Sequence, residues 1–188
     1  MNSSRQTNRA ILLLVIQAML VLSIAGKYLY ERKTCPRVWL RAAQFDPNQP
    51  LRGRYLALQL AVDACALPRD QAHHTPGYNP NLPGSWRWTV RPVVQDGKLV
   101  PVLASDTDRP ELTEVTLWGN RPCERATLSQ GAMFSSGVDF FIPDTAKGPF
   151  PLQPHEELWV EVTVPPMGPP RPIQLAIAKD GAFTPLKF

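Results

Sequence analysis

The sequence predicts a mainly β protein: a single N-terminal transmembrane helix followed by an antiparallel β-sandwich or a partly closed β-barrel. Three observations predict it. One apolar run, from Ala10 to Gly26, lies next to the amino terminus, and nothing like it follows. Beyond that run the hydrophobic pattern changes to period two, the spacing of half-buried strands. All 21 prolines also lie beyond it, where they exclude long helices and punctuate short strands.

Residues 1–9 form a short polar tail. The run AILLLVIQAMLVLSIAG is interrupted only by Gln17 and Ser23. With Tyr28, Leu29 and Tyr30 added, residues 10–30 are long enough to cross a hydrocarbon core of roughly 30 Å. Lys27 can snorkel, and the tyrosines suit the aromatic belt at the exit. A cleaved signal peptide is the rival reading, with Arg5 and Arg9 as its basic region and Ser23-Ile24-Ala25 as a small-x-small site. The apolar, aromatic and basic flank beyond that site favours an uncleaved anchor. Residues 31–188 are then an exported β-rich domain. Lys27, Arg32, Lys33 and Arg37 outnumber Arg5 and Arg9, so charge alone would keep the C-terminal side in the cytoplasm. The absence of a lipidation cysteine closing the run points to an inner-membrane anchor rather than a lipoprotein.

The strands follow in order. Val38 to Ala42 is a first short candidate. Tyr55 to Val62 is compatible with a helix by propensity, but Leu56, Leu58, Leu60 and Val62 alternate, which favours a strand with one buried leucine face. Trp86 to Val94 and Leu99 to Leu103 form a hairpin turning on Asp96-Gly97. Leu112 to Trp118 is ended by Gly119-Asn120, and Val138 to Ile142 by Pro143. Between Glu157 and Val164, Leu158, Val160, Val162 and Val164 alternate with Glu157, Trp159, Glu161 and Thr163. Ile173 to Ala178 and Ala182 to Leu186 close the chain as a hairpin on Asp180-Gly181. Eight or nine strands result. Residues 67–85 (LPRDQAHHTPGYNPNLPGS) read as a long surface loop, and residues 165–172 (PPMGPPRP) as a stiff connection.

The net charge of +4 is localised: residues 1–33 hold five Lys/Arg against Glu31 alone. The remaining 15 of 20 basic and 15 of 16 acidic residues cancel. Such a domain lacks the basic footprint of a nucleic-acid binder. Of the cysteines Cys35, Cys65 and Cys123, the last two fall at candidate strand ends and form the favoured candidate disulfide, with Cys35 left near the membrane; the sequence alone leaves all three pairings open. Three buried thiols are the plain alternative.

No GxSxG elbow, P-loop, HExxH or EF-hand pattern is present, so no catalytic residue, metal or cofactor is expected. His155-Glu156-Glu157 lacks the second histidine of a zincin. His73 and His74 could join His155 on a metal, but neighbours on an extended chain diverge, and solvent exposure is the simpler reading. The serines at 85, 105, 129, 135 and 136 have no signature placing a lysine beside them.

One constellation remains. Asp46-Pro47-Asn48-Gln49-Pro50-Leu51-Arg52-Gly53-Arg54-Tyr55 makes a proline-bounded turn feeding the leucine-faced strand. Arg52 and Arg54, two apart, project from one face of an extended chain, as a paired-arginine clamp for an anion requires. The plain structural alternative is a register-fixing turn whose arginines pair with Asp46 or Asp63. Arg87 and Arg91 likewise share a face of their strand.

The order of apolar helix, short linker, DPxxPLRG turn and G-x-Y-x-x-L strand resembles the GDYXXLXY family of small membrane-anchored bacterial proteins. Gly53, Tyr55 and Leu58 match its pattern. Arg54 stands where the pattern has Asp, and Leu60 where it has the second Tyr. The resemblance covers about the first third of the chain. It implies an exported domain in a bacterial envelope, frequent association with multi-pass membrane proteins, and no known enzymatic activity. The function expected is that of a single-pass accessory protein of the inner membrane. Its periplasmic domain would dock on an integral-membrane or envelope partner through Asp46, Arg52, Gly53, Arg54, Tyr55 and Leu58. The alternatives are a module binding a small anion through its arginines, and an enzyme with a non-standard site.

Overall fold

The computed structural model describes residues 3–46, 55–75, 84–104, 113–118, 132–143, 145–146, 148–166 and 168–188. The chain separates into two compact units, Met1–Cys35 and Pro36–Phe188. The first is one helix, α1 (Ser3–Thr34), which extends beyond the apolar run at both ends. Arg32 and Lys33 in its last turn favour the carbonyl end of the helix dipole. Thr34 Oγ1 donates to Tyr30 O at 2.9 Å, Cys35 N to Glu31 O at 2.9 Å, and Pro36 forbids a further turn. Residues Asn8–Thr34 are long and apolar enough to cross a membrane, a property that an anchor and a signal sequence share.

The second unit contains eleven strands among the described residues. These are β1 (Arg37–Asp46), β2 (Tyr55–Val62), β3 (His73–Thr75), β4 (Ser85–Gln95), β5 (Lys98–Leu103), β6 (Thr113–Trp118), β7 (Ala132–Phe134), β8 (Val138–Phe141), β9 (Glu156–Thr163), β10 (Arg171–Lys179) and β11 (Ala182–Pro185). Every pairing among them is antiparallel. The order is β11-β10-β9-β1-β2-β7-β6-β4-β3, with β5 also on β4 and β8 also on β2. Among the described residues the sheet does not close on itself, as an antiparallel β-sandwich or a partly closed barrel requires.

Strand β2 joins two layers. Its first half, Tyr55 to Leu58, pairs with β8, and its end, Ala61 and Val62, pairs with β7. One layer is therefore β11-β10-β9-β1-β2-β8, and the other is β7-β6-β4 with β3 and β5 on the far edge of β4. Strand β5 approaches β1 and β2 without pairing to either, which brings the layers face to face. Val38 and Leu40 of β1, Leu56, Leu58 and Leu60 of β2, and Leu158, Val160 and Val162 of β9 point into one core, met by Trp88, Val90, Val115, Leu117 and Phe134. Burying each such side chain stabilises the fold by about 1.5–3 kcal/mol before entropy is counted. Trp88 is fully enclosed because its Nε1 donates to Pro68 O at 2.8 Å.

Both Asp-Gly turns form as the sequence predicts. Asp96 and Gly97 have φ of 50° and 71°, and Asp180 and Gly181 have 49° and 84°, the paired left-handed conformations of a tight hairpin. The expected long loop is in part ordered structure: a 3-10 turn (Arg69–Gln71) leads to β3, which lies on β4. The expected stiff connection is shorter than its prolines suggest, because β10 begins at Arg171 and takes Pro172 in at a bulge before Gln174. The short β7, buried at all three residues, has no alternation to mark it in the sequence.

The edge strand β11 carries a device against further pairing. Leu186 N donates to Leu175 O at 2.8 Å, so the neighbouring pair Ala176 and Pro185 is a non-hydrogen-bonded one. Pro185 thus places its missing N–H on the outer edge, where a foreign strand would need it.

Candidate docking face

An antiparallel layer open to water on one side should present polar side chains there. The outer face of the β11-β10-β9-β1-β2-β8 layer does otherwise. The alternation that sends Leu158, Val160 and Val162 inward sends Glu157, Trp159 and Glu161 outward, and β1 likewise turns out Trp39 and Arg41. Strand β11 adds Phe183 and β8 adds Phe141, while Tyr55 begins β2 on the same face.

Three of these aromatics form one cluster. The Phe183 ring lies 5.2 Å from Trp159 and 5.9 Å from Trp39, both edge-on at 64°. This T-shaped arrangement sets a positive ring edge on a negative ring face. Phe183 reaches Trp159 across β10 because β10 offers only alanines here: Ala176 lies opposite Trp159, and Ala178 opposite Phe183. Ala176 is fully buried although it faces away from the core. Glu157 fixes the flank. One of its carboxylate oxygens accepts from Arg41 Nη2 at 3.0 Å, and the other accepts from Trp159 Nε1 at 3.2 Å. Farther along the layer Tyr55 and Phe141 pair at 6.2 Å, and Phe141 is 72% exposed. Phe183 is 49% exposed.

Such a face can bury rings and one desolvated ion pair against a protein partner; aromatic and arginine side chains supply most of the energy at such interfaces. Among the described residues no group of three or more His, Cys, Asp or Glu is arranged to hold a metal.

The residues singled out in the sequence are distributed differently from the expectation. Asp46 ends β1 opposite Ala57, next to a bulge, and Tyr55 begins β2, so the two bracket residues 47–54. Arg52, Gly53 and Arg54 lie outside the described residues, as does Cys123 and with it the pairing to Cys65. Leu58 is completely buried and faces away from Tyr55. Arg87 forms an ion pair with Glu114 at 3.7 Å. His74 stacks on Trp86 at 4.4 Å and Arg69 lies 5.7 Å from the same ring, while His155 sits in the turn before β9 with φ of 65°. Ser135 shares a 2.7 Å hydrogen bond with Thr116. Nothing in the sequence marks Phe183 or Phe141 as functional; the readable signal for the face is Trp39 and Trp159 alternating with buried aliphatics.

Comparison with protein-family models, curated proteins and solved structures returns no match to this chain.

Proposed function

We propose that this chain is a membrane-anchored accessory protein whose β domain binds an integral-membrane or envelope protein through its aromatic outer face. The observation that carries the reading is the Trp39–Trp159–Phe183 cluster, with Phe183 49% exposed on a sheet face that should be polar. Arg41 and Glu157 beside it supply the charge-paired rim of a binding surface. In this reading α1 remains uncleaved and holds the domain at a bacterial inner membrane, on its periplasmic side. The resemblance of the Gly53, Tyr55 and Leu58 pattern to the GDYXXLXY family supports that location and a multi-pass partner. Tyr55 and Phe141 would extend the contact to the start of β2. An anion-binding role is supported less: the outward Arg87 is already engaged by Glu114.

The test is photocrosslinking of the full chain in intact cells. A photoreactive residue replaces Phe183 or Phe141 on the aromatic face, or Arg87 on the other layer. One discrete protein adduct from the first two sites, absent from the third and lost when Trp39 and Trp159 are both changed to Ala in a folded protein, supports the reading. Equal labelling from all three sites, or none from the aromatic face, overturns it.

A further inference from the structure

Gln17 stands near the middle of the apolar run, and its carboxamide makes no hydrogen bond among the described residues. Ser23, the other polar side chain in the run, behaves differently: its hydroxyl returns to Leu20 O at 2.8 Å within the helix. In hydrocarbon there is no water to serve the two donors and the acceptor of Gln17, so its need falls on another helix. Ala10, Leu13, Gln17, Leu20 and Ile24 are spaced alternately three and four residues apart. Set in heptad register, they make an a/d seam with Gln17 at a central a position.

We propose that Gln17 pairs with Gln17 of a second copy of this chain, joining two parallel anchors along that seam. This inference rests on the anchor reading above. Two features select a second copy over an unrelated helix. A carboxamide is its own complement, its carbonyl oxygen accepting from the amide N–H of an identical group. Two copies inserted in the same direction also bring residue 17 to the same depth on the two-fold axis, as an isologous contact demands. A polar a-position residue is the device by which parallel pairs fix their register. The leucines and Ile24 on either side pack but do not discriminate one register from another.

The test uses full-length chains carrying donor and acceptor fluorophores, with energy transfer read in native membrane vesicles over a range of densities. Transfer between wild-type copies is expected, and Gln17→Leu should weaken the apparent association about five- to thirtyfold. Gln17→Asn should retain most of it, and Ser23→Ala all of it. Transfer that is unchanged in Gln17→Leu, or absent in a wild-type chain that resists alkaline extraction, overturns the pairing and leaves the anchor intact. Loss of a different membrane protein from Gln17→Leu vesicles, with transfer between copies unaffected, overturns it in favour of a hetero-partner. Release of a chain shortened at its N-terminus overturns the anchor reading itself, and the pairing with it.

Discussion

Phe183, on the edge strand β11, meets Trp159 of β9 edge-on at 5.2 Å although β10 runs between their strands. The bridge exists because Ala176 and Ala178 keep β10 low on this face. A small-residue floor, an aromatic roof and one carboxylate holding both Trp159 and Arg41 make a second packed layer outside the core. Edge strand and sheet centre are thereby coupled through side chains as well as backbone.

The fully buried Ala176 is the position most sensitive to volume on this face. Ala176→Leu should lower stability by about 1–3 kcal/mol, the cost of overpacking, and Trp159 fluorescence should report the displaced ring. The same change at Ala57, half-buried on β2 of the same face, should cost less. Equal effects at the two positions in urea unfolding would refute the floor-and-roof account.

The motif strand separates two roles by parity. Leu58 points into the core with no exposed surface, whereas Tyr55 lies on the outer face against Phe141. Leu58→Ala should cost about 2–5 kcal/mol in stability. Tyr55→Ala should cost well under half as much and act on partner binding. Chemical unfolding of the two variants beside the crosslinking yield decides between a structural and a binding use of each residue.

Much of this architecture was legible because alternation is unambiguous where one face is buried. Leu56 to Val62 and Leu158 to Val164 announced β2 and β9, and Asp96-Gly97 and Asp180-Gly181 announced their hairpins. Strand β7 escaped because all three of its residues, Ala132, Met133 and Phe134, are buried, so no period shows. Strand β3 escaped because His73, His74 and Thr75 are all exposed and lie among turn formers. The aromatic face was half-visible. Trp39 and Trp159 stood out of phase with their buried neighbours, but their meeting with Phe183 depends on sheet order, which no local pattern encodes.

The two hairpin glycines should be intolerant for backbone reasons alone. Gly181 has φ of 84° and nothing within 4 Å of where a Cβ would stand, so space is available but conformation is not. Gly181→Ala should therefore cost about 1 kcal/mol, from the left-handed strain of an L-residue. Gly148 also has open space and no left-handed φ, so Gly148→Ala should be neutral or slightly stabilising. Thermal unfolding of both variants tests whether conformation or room sets the cost.

Asp63 caps the end of β2. Its Oδ1 accepts the Cys65 backbone N–H at 2.9 Å, and this bond, with a second from the Cys65 side chain and a smaller effect of Lys98, holds its carboxyl below the usual value. A depressed carboxylate stabilises the fold at pH above its unfolded value, and that contribution disappears as pH falls through the folded one. Asp63→Ala should thus cost a few tenths of a kcal/mol at neutral pH, a small amount because the residue is exposed and screened. The difference from wild type should vanish in strong acid. A gap that persists unchanged to low pH would assign the effect to the turn rather than to the charge.

The division at Cys35 and Pro36 lets α1 be removed without cutting into the β domain. The buried core lies wholly within residues 38–175, and the first strand begins only at Arg37. A fragment of residues 36–188 should therefore fold alone, with antiparallel strand content by circular dichroism and a cooperative unfolding transition. Removing α1 takes away the only helix among the described residues able to cross a membrane. The fragment should consequently leave the membrane fraction while the full chain stays in it under alkaline extraction. A full chain released just as readily would mean that α1 acts as a removable signal sequence. A fragment that aggregates or lacks cooperative unfolding would mean that the helix contributes to folding beyond tethering.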